Sequence, residues 1–288
     1  MLSLHTNNAA LSAQNSIAKT QSQLSTSMTR LSTGYRINSA MDDAAGLQIA
    51  TRLKAQTSGM TVAMSNTQNS TSMLQTAEGA FNEVTNMLVR MKDLATQAAD
   101  ASSNTDDKEA MQAEFDALGK ELYNVMTKTT FGGSSLLVGG TLASSMTFQI
   151  GASAGETMAL DVSAKMTTLG TNLAAAVKTY ASAPPSTLGT EIGTGTTANT
   201  SITALSTLID NVGEIRSALG AAANRLDHVN NNLSNISTNT KAATGRIMDV
   251  DFATESSNMT SSQMLLQAGT AMLKQSNSMS SMVMSLLQ

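Results

Sequence analysis

The feature that most constrains this chain is a ladder of apolar residues from Ile215 to Val250. Its rungs are Ile215, Leu219, Ala222, Leu226, Val229, Leu233, Ile236, Thr240, Ala243, Ile247 and Val250, spaced alternately by three and four residues with one polar rung. This rhythm keeps one seam of a helix turned toward a partner. At the α-helical rise such a segment extends roughly 54 Å, so its partner has to be another long helix. A second ladder of the same rhythm lies upstream: Met60, Met64, Thr67, Thr71, Leu74, Ala77, Phe81, Val84, Leu88, Met91, Ala95 and Ala98. The two can zip together only if everything between them loops out and returns. The expected fold class is therefore mainly α, a long helical hairpin or coiled-coil bundle, to which the alternating segments quoted below add a small β-hairpin.

Composition narrows the function. Charged residues make up 13% of the 288 and the net charge is −4, so the polar surface is built from Ser, Thr, Asn and Gln, and stacked copies repel little. No basic patch exists for nucleic acid. With no cysteine, a disulfide framework and a thiolate metal site are both excluded. The first residues lack the basic and apolar regions of a cleaved signal peptide, and no apolar run is long enough to insert in a membrane. Twenty methionines, many on the apolar stripes, suit either an adaptable helical core or a subunit interface that repacks.

Along the chain, Ala10, Ile17, Leu24 and Leu31 recur every seven residues, with Ala13 and Met28 beside them, on an amphipathic helix over residues 6–33. Gly34 and Asn38 interrupt the pattern, and Ser39 followed by Asp42 reads as a helix cap with an acidic first turn. Adjacent Asp42 and Asp43 point to different sides of a helix and form no catalytic pair. A second helix over about 57–99 holds Gly79, whose cost of roughly 1 kcal/mol relative to Ala suggests close approach of a neighbouring helix. A third, about 105–129, carries Met111, Phe115, Leu118, Leu122 and Val125. The alternating Met146, Phe148, Ile150 and Met158, Leu160, Val162, with Gly151 and Gly155 between them, read as a β-hairpin. Residues 166–200 hold Pro184 and Pro185 and form a turnaround loop whose one periodic stretch is a short helix near 170–181. The last helix carries Leu265, Ala268, Met272, Met279, Met282 and Leu286, with Leu266, Leu273, Val283 and Leu287 on its other flank. So broad an apolar face exceeds what the N-terminal helix covers, which makes neighbouring copies its cover.

Catalytic and metal chemistry is missing from the pattern. There is no Gly-rich phosphate loop, no HExxH and no Cys/His cluster, and no cofactor is implied. His5 and His228 are read as solvated or edge-packed. Asp249, Asp251 and Glu255 read as a capped, hydrated helix start rather than a cation loop. The chain is not read as an enzyme.

Several strings are more specific. RLSTGYRINSAMDDAAGL from Arg30 to Leu47, LQTAEGA from Leu74 to Ala80, FGGSSLL from Phe131 to Leu137, and DVDFATE from Asp249 to Glu255 followed by Met259, Gln263 and Gln267-Ala268-Gly269 closely resemble bacterial flagellin. Met41, Thr33, Gly132, Leu266 and Gln288 depart from residues common there. The resemblance covers about 1–140 and 200–288 and implies a short form lacking the outer variable domains. It implies chain ends paired as a second helical domain, the terminal filament-core domain (1–42 and 249–288), beside a helical rod domain (43–165 and 201–248) and a short variable turnaround loop (166–200). The function implied is a structural subunit that polymerises into the extracellular flagellar filament for swimming motility.

Implied partners are further copies of the chain, a flagellar export chaperone on the C-terminal helix, and cap and hook-junction proteins. Implied, too, is secretion through the flagellar type III apparatus. The assembly interface is expected at Ile17, Leu24, Leu31, Leu265, Met272, Met279, Met282 and Leu286. The family resemblance also places a patch for the vertebrate Toll-like receptor that senses flagellin at Arg90, Leu94 and Glu114, with Val89 and Lys92 departing from the usual Gln and Arg. Two alternatives stand beside this reading: a hook–filament junction protein, which shares flagellin-like ends, and a coiled-coil signalling rod, which leaves the two terminal helices unexplained.

Overall fold

The computed structural model describes residues 7–181 and 188–286, with side chains described as far as Met279. His5, Pro184 and Pro185 lie outside the described residues. Six α-helices carry the described residues: α1 (Asn8–Thr33), α2 (Ala44–Ala99), α3 (Thr105–Lys128), α4 (Ser163–Ala176), α5 (Gly195–Met248) and α6 (Phe252–Leu286). Between α3 and α4 lie strands β1 (Thr130–Phe131), β2 (Ser134–Ser135), β3 (Met146–Gln149) and β4 (Thr157–Leu160). The chain divides into two compact units, one of Met1–Thr57 with Thr238–Gln288 and one of Ser58–Ser237. The terminal unit thus reaches further into the chain than boundaries at residues 42 and 249.

In the central unit the two ladders meet as expected. Leu74, Ala77, Phe81, Val84, Leu88, Met91, Ala95 and Ala98 of α2 share one core with Leu205, Leu208, Val212, Ile215, Leu219, Ala222 and Leu226 of α5, and with Phe115, Leu122 and Met126 of α3. A smaller cluster joins Met60 and Ala63 to Leu233. Near that cluster the strict heptad fails: Ile236 is exposed, and Ser237 takes the buried place. A straight α-helix turns 3.6 residues per turn rather than 3.5, so its seam walks off a seven-residue ladder over several turns. Gly79 is another departure. Among the described residues nothing lies within 4 Å of where its Cβ would stand, so no described helix packs closely against it.

Helix starts follow side-chain chemistry. Asn104 caps α3 with a full capping box, its side chain accepting from Asp107 N while the Asp107 carboxylate accepts from Asn104 N. For α2 the cap moves: Asp43 Oδ1 accepts from Gly46 N at 2.8 Å, while Asp42 Oδ2 accepts from the N–H groups of Asn38 and Ser39 at 3.0 and 2.8 Å. Asp42 therefore holds the preceding turn, and the backbone N–H of Ser39, then that of Asn38, draws its pKa below the ordinary aspartate value.

The alternating segments pair as an antiparallel hairpin with Met146 opposite Leu160 and Phe148 opposite Met158. FGGSS forms a second, tighter one in which Gly132 and Gly133 adopt φ of 60° and 84°. Two successive positive φ values suit the two-residue turn between strands that twist right-handed.

The segment read as a turnaround loop is more structured than that. Helix α4 runs Ser163–Ala176 and buries Met166, Leu169 and Leu173, so the short helix starts and ends earlier than the expected 170–181 while overlapping it, and α5 begins at Gly195. The apolar spacing is helical, but Thr, Gly and Asn between the rungs give it little contrast with its surroundings.

Candidate functional site

The chain ends form an antiparallel pair of α1 and α6. Asn7 caps α1 by accepting from Ala10 N at 3.1 Å, and its Nδ2 donates to Ser276 O at 3.3 Å. Ile17 sits beside Gly269, where an added Cβ would lie 2.9 Å from Ile17 Cγ1; the missing side chain lets the two helices close. At the other end Gly34 adopts φ 75° and closes α1 through its N–H to Arg30 O. Immediately beyond, the entering and leaving strands of backbone are stapled. Tyr35 and Asp249 form an isolated bridge, Arg36 N donates to Met248 O at 2.6 Å and Val250 N to Gly34 O at 3.0 Å, and the Arg36 guanidinium reaches Ile247 O at 2.9 Å.

The seam between α1 and α6 is small and polar. Ser27 donates from Oγ to Glu255 Oε1 at 2.6 Å, and Arg30 approaches Glu255 Oε2 at 3.8 Å. Glu255 is buried, so it is not part of a hydrated helix start; that role falls to Asp251, whose carboxylate accepts from Ala253 N and Thr254 Oγ1. The Thr254 hydroxyl, ahead of the backbone donors, lowers the Asp251 pKa. An open cleft of about 440 Å³ beside this pair is lined by Ser22, Thr26, Asn258 and Ser262 among others.

The residues expected at the assembly interface divide accordingly. Ile17, Leu24 and Leu31 are half-buried on α1, and the α6 side of the seam runs Glu255, Met259, Ser262, Leu266, Gly269, Leu273 and Ser276, none of them exposed. The other α6 stripe is bare: Met264, Leu265, Met272 and Met279 are 59, 60, 68 and 56% exposed. The side chains of Met282 and Leu286 lie outside the described residues. Among the described residues of α1 and α6, only Ala10, Ser27, Glu255 and Ser262 are buried, so this pair holds no fully buried large apolar side chain.

In the central unit, Arg90 Nε donates to Glu114 Oε1 at 2.7 Å, and both residues are exposed. Leu94 is 2% exposed, because it lies on the core side of α2. Of these three residues, Arg90 and Glu114 are thus the ones at the surface, with Val89 exposed and Lys92 half-buried beside them. His228 is exposed, as expected.

Sequence reasoning missed a second face of α3. Gln112, Asp116, Gly119 and Tyr123 recur four, three and four residues apart and receive the segments on either side of residues 182–187. Gln112 is a saturated hub: Nε2 donates to Asp116 Oδ1 at 2.8 Å and to Glu191 Oε2 at 3.0 Å, while Oε1 accepts from Ile192 N at 2.9 Å. The carboxylates take their remaining donors from backbone, Gly189 N to Asp116 Oδ2 and Lys178 N to Glu191 Oε1. A Cβ at Gly119 would strike Val177 and Thr179. Tyr123 meets Tyr180 edge to face at 5.4 Å. The four-three-four recurrence was the available signal.

Among the described residues no helix is long and apolar enough to cross a membrane, and no group of three or more metal-ligating side chains gathers.

The family profile of the bacterial flagellin N-terminal helical region matches residues 4–141, and that of the C-terminal helical region matches 202–287. Flagellin A of Vibrio anguillarum is 35% identical, with all of both chains covered, over an alignment of 379 positions. That alignment is longer than this chain, so the relative carries residues absent here. A flagellin of Halalkalibacterium halodurans is 36% identical over 280 residues, with 97% of each chain covered. A solved Vibrio parahaemolyticus chain described as a flagellar hook-associated protein is 17% identical with a TM-score of 0.54, covering 72% of this chain and all of that one; this likeness is one of fold.

Proposed function

Because the chain belongs to the bacterial flagellins, structural subunits that polymerise into the extracellular flagellar filament for swimming, we propose that its α1–α6 pair is the polymerising element and that the bare α6 stripe is the face another copy covers. The observation that carries this reading is the division of α6 into two apolar flanks, one against α1 and one that no described residue covers. Leu265, Met272 and Met279 belong to the second flank. Apolar area left in water on a subunit whose family polymerises is a gain in free energy held back until assembly, about 25 cal/mol per Å² covered. Ile17, Leu24 and Leu31 act one step earlier, by holding α6 in place.

In this reading residues 1–42 and 249–288 supply the filament-core contacts, 43–165 with 201–248 the next layer, and 166–200 the outermost, variable part. The same bare stripe is what an export chaperone would shield before secretion through the flagellar type III apparatus, and what a cap protein would guide into the growing tip. The full-length relatives are filament flagellins, so a hook–filament junction role is not favoured; contact with junction proteins belongs to the filament's base.

The test is seeded polymerisation of Leu265→Asp and Met272→Asp, separately and together. The double variant is expected to leave the melting of the central unit unchanged and to stop elongation. Normal filaments from it would overturn the assignment of the stripe.

A further inference from the structure

The methionines of this chain are sorted by environment. Met60, Met91, Met126, Met146, Met158 and Met166 are buried in the central unit, whereas Met264, Met272 and Met279 stand more than half exposed along one stripe of α6; Met41 at 96% and Met28 at 50% are exposed as well, outside that stripe. With no cysteine in the sequence, thioethers are the side chains that a peroxide oxidises most readily. We infer that Met264, Met272 and Met279 are an oxidation site for peroxides that acts on the free subunit and withholds oxidised copies from the polymer. The inference rests on the reading of this stripe as the polymerising face.

The chemistry needs only the peroxide as co-reactant. A sulfur lone pair attacks the distal oxygen, the O–O bond breaks, an S–O bond forms, and a proton shift releases water from hydrogen peroxide. Sulfur is oxidised by two electrons and the peroxide reduced by two, giving methionine sulfoxide. On a bare helix face the new S–O dipole stays hydrated, so the subunit keeps its fold. When a second copy covers the stripe, the same dipole loses its water without gaining a partner. Oxidation and assembly then exclude each other. A sulfoxide at these positions opposes burial, and burial within the filament keeps peroxide from the sulfur. The buried thioethers of the central core are shielded in the free subunit as well, which separates an effect on assembly from one on folding.

The experiment treats full-length subunit, and separately preformed filaments, with dilute hydrogen peroxide. Sulfoxide is measured at each methionine by peptide mass spectrometry, followed by seeded polymerisation. In the free subunit, oxidation is expected at Met264, Met272 and Met279, as at exposed Met28 and Met41, ahead of the buried methionines, with the melting of the central unit unchanged and the critical concentration raised about tenfold or more. In filaments the same three residues are expected to be protected. Met264→Leu/Met272→Leu/Met279→Leu, which nearly conserves volume, should assemble equally well before and after peroxide. Should that variant not assemble, repair of oxidised wild type by methionine sulfoxide reductase decides instead, with restored elongation expected. Unchanged assembly of wild type with sulfoxide confirmed at all three positions would overturn the inference, as would equal inhibition of the leucine variant, or failure of repair to restore growth. Leu265→Asp separates the two readings because it involves no sulfur. If it assembles normally, the stripe is not the polymerising face; if it fails while oxidised wild type assembles, only the oxidation proposal is lost.

Discussion

Ser27 and Glu255, 228 residues apart in sequence, share a 2.6 Å hydrogen bond inside the α1–α6 seam, and both are buried. Arg30 completes the group at 3.8 Å. In a seam otherwise made of small and half-buried residues, this is a point where one register satisfies the polar groups and a shifted one does not. A single polar layer of this kind fixes register at some cost in stability.

Glu255→Ala is accordingly expected to weaken the pairing of the chain ends by about 1 to 3 kcal/mol, since it strands the Ser27 hydroxyl and the Arg30 guanidinium. Glu255→Gln, which keeps an acceptor for Ser27, should cost less. Hydrogen exchange of the α1 amides in the free subunit measures both; equal protection in wild type and Glu255→Ala would remove the polar layer from this role.

Gln112→Leu tests the hub on α3. The substitution strips one donor from each of Asp116 and Glu191 and orphans Ile192 N, so a loss of about 2 to 4 kcal/mol in the central unit is expected, of the size seen when buried polar partners are removed singly. The first observable change should be faster amide exchange at residues 188–192. Retained protection there would mean that the apolar contacts of Val177 and Ile192 suffice.

The hydroxyl of Tyr180 is buried and has no hydrogen-bond partner among the described residues. Burial, with a smaller contribution from Tyr123, pushes its pKa up to about 12 from 10.0. Between those values the folded chain keeps a proton that the unfolded chain has released, so stability is flat below pH 10 and falls as pH rises from about 10 toward 12. Tyr180→Phe removes both the unsatisfied hydroxyl and this dependence. It should raise stability by about 1 kcal/mol at pH 7 and flatten the alkaline limb of a denaturation series; an unchanged limb would assign it to other groups.

For host recognition, which the resemblance to flagellin implies, we propose the exposed Arg90–Glu114 pair as the surface a Toll-like receptor meets. Arg90→Ala should reduce receptor activation by the free subunit while leaving its melting temperature within about 1 °C, because exposed ion pairs contribute little to stability. Leu94→Ala should lower stability by about 2 to 4 kcal/mol instead, as a core truncation. Lys92→Arg should strengthen activation, since Lys cannot supply the planar double donor of Arg. Activation indifferent to Arg90→Ala would place recognition elsewhere.

What could be read from sequence followed contrast. The ladders on α2 and α5 stand out because large apolar residues recur against Ser, Thr, Asn and Gln, and nearly every rung from Leu74 to Ala98 is buried. Where the seam is polar, contrast vanishes: Glu255, Ser27 and Ser237 read as surface and are not. Helix α4 hides for a related reason, its three buried residues separated by Thr, Gly and Asn that also suit a loop. The Gln112 hub has helical periodicity but no apolar signature, and its partners lie up to 80 residues away. Leu94, which the resemblance places in the receptor patch, is buried; it is not a rung of the α2 ladder but stands next to the Ala95 rung, on the edge of the same stripe.

The same contrast in packing separates the two units energetically, and it leads to the prediction on which the assembly reading most depends. The central unit buries Phe81, Phe115, Leu88, Met91, Leu122 and Met126 completely or nearly so. The α1–α6 pair buries no large apolar side chain fully among its described residues, and its seam consists of half-exposed Ile17, Leu24, Leu266 and Leu273 around a polar layer. Ordering a helix costs roughly 1 to 2 kcal/mol per residue in backbone entropy before packing returns it, and two helices with one partly filled seam return little of that. The ends should therefore be the least stable part of the free subunit, open to protease while the central unit resists. In the filament the bare flank gains its missing partners, and ordering and polymerisation become one event. Deleting Leu265–Gln288 should shift the melting transition of the central unit by less than about 2 °C and abolish elongation from seeds. Limited proteolysis of the intact subunit, run on the same preparation, should cut first within α1 and α6. Ends that resist protease in the free subunit, or filaments grown from the truncated chain, would show that the ends are ordered before assembly and that some other surface drives it.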